Sequence, residues 1–92
     1  MIWRFVAKGR VQGVGYRATI HRTVCRDLPK IKGYVKNLRD KTVEIVAEGT
    51  QEELELIEII AREGSTMGHV SELLIDKDYM VGAPLISFTI EH

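Results

Sequence analysis

The sequence predicts an α+β domain, a ferredoxin-like split β-α-β sandwich in which two helices cover one face of an antiparallel sheet of four to five strands. Three observations carry that prediction. Hydrophobic periodicity along the 92 residues reads strand, helix, strand, strand, helix, strand, strand. A glycine-rich turn between Gly9 and Arg17 joins the first strand to the first helix. Thr50 and Glu53 stand at capping-box spacing immediately before a second helical stripe. Two strand-helix-strand crossovers that share a central hairpin describe this sandwich.

Each element follows from its own residues. Trp3, Phe5 and Ala7 alternate with Arg4, Val6 and Lys8, so the first strand has at least one buried face, and the two aromatics belong to the core. Tyr16, Ile20, Val24 and Leu28 recur every four residues, which is one stripe of a helix ending near Pro29. Tyr34 to Leu38 and Thr42 to Glu48 read as a hairpin about Arg39-Asp40-Lys41. Leu54, Ile57, Ile60 and Ala61 mark the buried face of the second helix, and Gly64 marks its stop. Val70 to Asp76 is the fourth strand. Ile86, Phe88 and Ile90 alternate with Ser87, Thr89 and Glu91, which places a last strand after the Gly82-Ala83-Pro84 break.

Composition sets bounds without choosing a chemistry. At 92 residues and 45% hydrophobic, residues 1–92 form one domain with a single core. Arg4 and Lys8 interrupt the opening apolar residues, so no signal peptide is read there, and no apolar run reaches membrane-spanning length. One cysteine, Cys25, allows no internal disulfide and fits a reducing compartment, so a cytoplasmic location is expected. A monomer is the expected state, although no residue pattern in the sequence establishes it. Net charge is zero, yet residues 1–46 hold 11 Lys+Arg against 3 Asp+Glu, and residues 47–92 hold 2 against 10. The basic half could focus anions on a site, or the two halves could interleave and neutralise each other.

The glycine-rich turn is the informative stretch. Gly13 and Gly15 permit backbone angles at which successive N–H groups of Gln12, Gly13, Val14, Gly15, Tyr16 and Arg17 converge on one anion. The following helix adds its N-terminal dipole, and Arg17 adds a planar fork of donors matched to two phosphate oxygens. The whole stretch, Gly9-Arg10-Val11-Gln12-Gly13-Val14-Gly15-Tyr16-Arg17, closely resembles the signature loop of the acylphosphatases. Gly33-Tyr34-Val35-Lys36-Asn37, with Val43 and Gly49 downstream, looks like that family's other signature. The two stretches span residues 9 to 49, and the chain has the usual length of a stand-alone member. The resemblance implies acyl phosphate hydrolysis, with Arg17 and Asn37 as catalytic residues, a small-molecule acyl phosphate as substrate, and no metal or organic cofactor.

Those two residue types restrict the chemistry. An arginine stays protonated and a carboxamide does not titrate, so neither is a practical nucleophile or general base. An acyl phosphate suits them, because its carboxylate leaving group, with a pKa of roughly 4 to 5, departs without a general acid. What remains is to bind the phosphoryl group, offset its charge and aim a water.

Other constellations are weaker. His21 and Cys25 stand one helical turn apart and could offer two metal ligands, but His69 and His92 lack the spacing to complete a set. Asp76 and Asp78 read as a solvated strand end rather than paired carboxylates. Lys32-Gly33-Tyr34-Val35 echoes the opening of an RNA-binding strand on the same fold, but lacks the alternating aromatics that follow, so no nucleic acid partner is expected. A silent anion-binding regulatory domain would keep the loop and dispense with Asn37. The chain also departs from the resembled family at four places: Lys41 in the hairpin turn, the Pro29-Lys30 link, the loop Gly64 to Gly68, and the Glu91-His92 ending.

Overall fold

Alternate burial builds the first strand, because Trp3, Phe5 and Ala7 point into the core while Arg4, Val6 and Lys8 point away. The computed structural model describes residues 1–92. Its elements are β1 (Ile2–Arg10), α1 (Tyr16–Asp27), β2 (Lys32–Asn37), β3 (Val43–Glu48), α2 (Gln51–Glu63), β4 (His69–Asp76) and β5 (Phe88–Glu91). The strands form one sheet in the order β4-β1-β3-β2-β5. Trp3, Phe5, Ala7, Val35, Val43, Ile45 and Ala47 on the sheet meet Tyr16, Ile20 and Val24 of α1 and Leu54, Ile57 and Ala61 of α2 in one core cluster. Burial of these apolar side chains is the main favourable term in holding the layers together.

The predicted order of elements is the observed one, with three corrections. The sheet is mixed rather than antiparallel, because β5 runs parallel to β2, pairing Gly33 with Phe88 and Val35 with Ile90. The cause is geometric. β4 ends beside the start of β1, where Arg4 pairs with Asp76, and residues 77–87 cross to the opposite edge at that same end. From there β5 can only run in the direction of β1 and β2. Ile86 is not part of the last strand: it is 87% exposed, and pairing begins where the Gly33 N–H donates to the Ser87 carbonyl. The first strand also runs on to Arg10, with a register shift between Lys8 and Gly9.

Charge segregation along the sequence turns into proximity in the fold. Basic β1 pairs with acidic β4, so Lys8 meets Glu72 at 3.8 Å. The arginines of α1 and the glutamates of α2 lie on two helices packed against each other. Interleaving therefore accounts for the Lys8–Glu72 pair, while Arg4–Glu44, Arg26–Asp27 and Arg62–Glu58 each pair within one half of the chain.

The β2–β3 turn carries the single non-glycine residue with a positive φ, Lys41 at 71°. Asp40 braces this turn by accepting from the Thr42 side chain and backbone N–H, and those bonds hold its carboxyl below the usual carboxylate range. The bracing is present at neutral pH and is lost only as pH falls through that lowered value. A left-handed non-glycine residue costs about 1–2 kcal/mol, partly offset because glycine would enlarge the unfolded ensemble. Lys41→Gly is therefore expected to raise the unfolding free energy by about 0.5–1 kcal/mol in urea titration. A neutral or destabilising result would show that the turn carries no such strain.

Candidate active site

Two helices on one sheet begin in opposite ways, and the contrast locates the site. The first turn of α2 is closed by its own side chains: Thr50 accepts from the Glu53 N–H, Glu53 accepts from the Thr50 N–H, and Glu52 and Glu53 meet the helix dipole. α1 has none of this. Its cap is Gly15, with no side-chain hydrogen bond and no acidic residue in the first turn. The first intrahelical bond is from the Thr19 N–H to the Gly15 carbonyl at 3.0 Å, which leaves the preceding N–H groups of the turn without helical partners. The N–H groups of Gln12, Gly13, Val14 and Gly15 likewise donate to no protein acceptor. Gly13 and Gly15 have φ of 73° and 77°, and a Cβ on either would meet nothing within 4 Å. Both glycines are thus required by backbone conformation rather than by space.

Tyr16 fixes where this helix starts. Its ring is buried, and its hydroxyl donates to the Ala61 carbonyl at 2.8 Å, tying the start of α1 to the end of α2. Burial pushes the phenol pKa up, so the hydroxyl stays a donor. The expected contribution of Tyr16 was its backbone N–H; the structure adds that its side chain holds the helix end in place.

Arg17 follows at the rim. Its Nη1 donates to the Glu91 carbonyl at 2.9 Å and lies 3.4 Å from Nδ1 of His92. The departing terminus therefore still supports the arginine, because β5 runs parallel to β2 and delivers Glu91 beside Lys36 at this end of the sheet. Asn37 is the last residue of β2 and lies on the same sheet face as Gly33 and Val35. Its Oδ1 is buried and has no hydrogen-bond partner. Such an orphan acceptor costs free energy, and its position is informative: Asn37 and Arg17 line one cleft of about 250 Å³ with Gly13, Gly15, Ile90 and His92. A larger groove of about 580 Å³ lies at the other end of α1, between Cys25 and Phe88, but it includes neither the loop nor the orphan acceptor.

Gln12 has a role that sequence reasoning missed. Its side-chain Nε2 donates to the carbonyls of Leu38 and Thr42, each at 2.9 Å, and so joins the loop to the β2–β3 turn. A side-chain contact between segments 26 and 30 residues apart leaves no periodic trace in a sequence.

The weaker constellations fall into local structure. His21 lies 3.5 Å from the Cys25 sulfur and 3.2 Å from the Phe88 carbonyl, while His69 is on β4 and His92 beside Arg17, so the four do not converge. Asp76 accepts from the Asp78 N–H at 2.9 Å, a turn contact. Tyr34 faces the outer side of the sheet beside Glu44, which is ion-paired with Arg4. Burial, then the Glu44 charge, push the Tyr34 phenol pKa up. No helix is long and apolar enough to cross a membrane.

Comparison with known proteins identifies the family. The family model described as acylphosphatase matches residues 3–90. An acylphosphatase of Bacillus velezensis is 38% identical over 77 residues, covering 84% of this chain and 83% of that one. One from Cupriavidus necator is 42% identical over 72 residues, covering 75% and 73%. The crystal structure of acylphosphatase from Bacillus subtilis superposes with a TM-score of 0.87 at 30% identity and covers both chains fully. An orphan carboxamide, an arginine and an open row of N–H groups thus sit on a chain that belongs to the acylphosphatase family, whose function is the hydrolysis of acyl phosphates.

Proposed function

We propose that Arg17 and Asn37 are the catalytic side chains of this acylphosphatase, and that the N–H groups of Gln12, Gly13, Val14, Gly15, Tyr16 and Arg17 cradle the phosphoryl group. The observation that supports this most is the buried, unpartnered Oδ1 of Asn37 in the cleft that Arg17 also lines. Its free acceptor suits a water proton, and orientation of that water places its oxygen in line with the bond from phosphorus to the acyl oxygen. The Arg17 guanidinium spans two equatorial oxygens and offsets the charge that accumulates there. The helix N-terminus, free of side-chain caps and carboxylates, adds its dipole.

No protein group in this scheme takes the water's proton, so it passes to a phosphate oxygen of the substrate. The carboxylate leaves unprotonated. Neither step calls for a metal or an organic cofactor. The cleft is open and its apolar lining is Val11, Tyr16, Ala18 and Ile90, which suits small acyl phosphates of varied structure as the substrate class. The reading further takes residues 1–92 as one domain acting as a monomer, and places it in the cytoplasm, where the single free cysteine would stay reduced.

Hydrolysis of benzoyl phosphate in water enriched in oxygen-18 tests this scheme. Attack at phosphorus puts the label in inorganic phosphate; label in benzoate would mean attack at the acyl carbon and would overturn the scheme.

A further inference from the structure

The cradle follows β1 and Asn37 ends β2, two strands that do not touch. In the order β4-β1-β3-β2-β5, β3 separates β1, which leads into the loop, from β2, which ends at Asn37. The last rung common to all three is Ala7, Val43 and Asn37. Beyond it the loop 11–15 and the turn 38–42 leave the sheet, and no ladder connects them.

Gln12 bridges this gap. Its carboxamide spends one proton on Leu38 and the other on Thr42, the residues at the two ends of the turn. Each of those carbonyls also holds a backbone bond within the turn, from Lys41 N–H to Leu38 and from Leu38 N–H to Thr42. The turn is therefore closed without Gln12, and the side chain serves to hold it at a set distance from the loop. A two-point contact also fixes orientation, which one hydrogen bond would not.

We propose that Gln12 is a positioning residue: its side chain latches the anion loop to the β2–β3 turn and thereby sets the separation between the cradle and Asn37. This rests on the assignment of Asn37 above. Its side chain acts on the water only through Asn37. Loss of the latch misplaces the water relative to phosphorus, while the loop N–H groups and Arg17 still bind an anion.

The variants to measure are Gln12→Met, which keeps length and removes both donors, and Gln12→Asn, which keeps the donors but falls short by one methylene. Each is assayed as the full chain with benzoyl phosphate, and with inorganic phosphate as a competitive inhibitor. The expected result is a fall in kcat of about 10- to 100-fold, as for a misplaced reacting group. The inhibition constant for phosphate should change by less than about threefold. Adding Gln12→Met to Asn37→Ala should lower kcat by less than about twofold further, because both act at one point. Native kcat in both folded Gln12 variants would overturn the inference, as would a loss confined to phosphate affinity or effects that multiply with Asn37→Ala. If Gln12→Met does not fold, Gln12→Asn carries the same decision. The Asn37→Ala variant alone separates the two failures: native turnover there removes the Asn37 assignment itself, whereas an inactive Asn37→Ala beside an active Gln12→Met removes the latch only.

Discussion

Replacing Arg17 with alanine is expected to lower kcat/KM by about 100- to 1,000-fold, the loss found when one preorganised donor to a developing oxyanion is removed, about 2.7–4 kcal/mol. The fork is what disappears; the loop N–H groups and the helix dipole stay. Inorganic phosphate should also bind more weakly, because the guanidinium is the side-chain cation tethered at the rim of the cleft. Stability should barely change. The arginine contacts the Glu91 carbonyl and the His92 ring in exposed positions and fills no part of the core. Arg17→Lys should recover only part of the rate, since an ammonium cannot span two oxygens while donating to Glu91. Steady-state kinetics beside thermal melts check all of this, and a folded Arg17→Ala variant with near-native kcat/KM would remove Arg17 from the mechanism.

Asn37→Ala should separate activity from stability in the opposite sense to most substitutions. Loss of the group that aims the water is expected to lower kcat by about 100-fold or more, with phosphate inhibition nearly unchanged. The unfolding free energy should hold or rise, because the native Oδ1 is buried with no partner and such a group costs about 1–3 kcal/mol. Under the proposed role, the orphan acceptor at the cleft is a stability cost retained for function. Urea titration of the variant gives the sign. A clear loss of stability would mean that the carboxamide is a structural group after all.

Much of this was legible in the sequence, for reasons that differ by element. Alternation in Trp3, Phe5 and Ala7 and the four-residue recurrence of Tyr16, Ile20 and Val24 report which face of an element is buried, and the structure buries those faces. Thr50 and Glu53 form the predicted capping box because that motif is local. Periodicity along one chain carries no information on strand direction, so the parallel pairing of β5 was beyond it. Ile86 continued a two-residue period but lies before the first ladder bond, where only tertiary contacts decide. The site divides in the same way. The loop glycines, Arg17 and Asn37 stand in two recognisable stretches, and the structure brings Arg17 and Asn37 to one cleft. The tether from Arg17 to Glu91 and the latch from Gln12 to the turn join residues far apart in the chain, by contacts to backbone carbonyls that no residue type announces.

The most direct test of the account is phosphate release from benzoyl phosphate by the native chain, Arg17→Ala and Asn37→Ala, with excess chelator present and folding verified for all three. The account predicts undiminished turnover by the native chain under chelation and its loss in both variants. Native turnover abolished by the chelator, or retained in either folded variant, would contradict it.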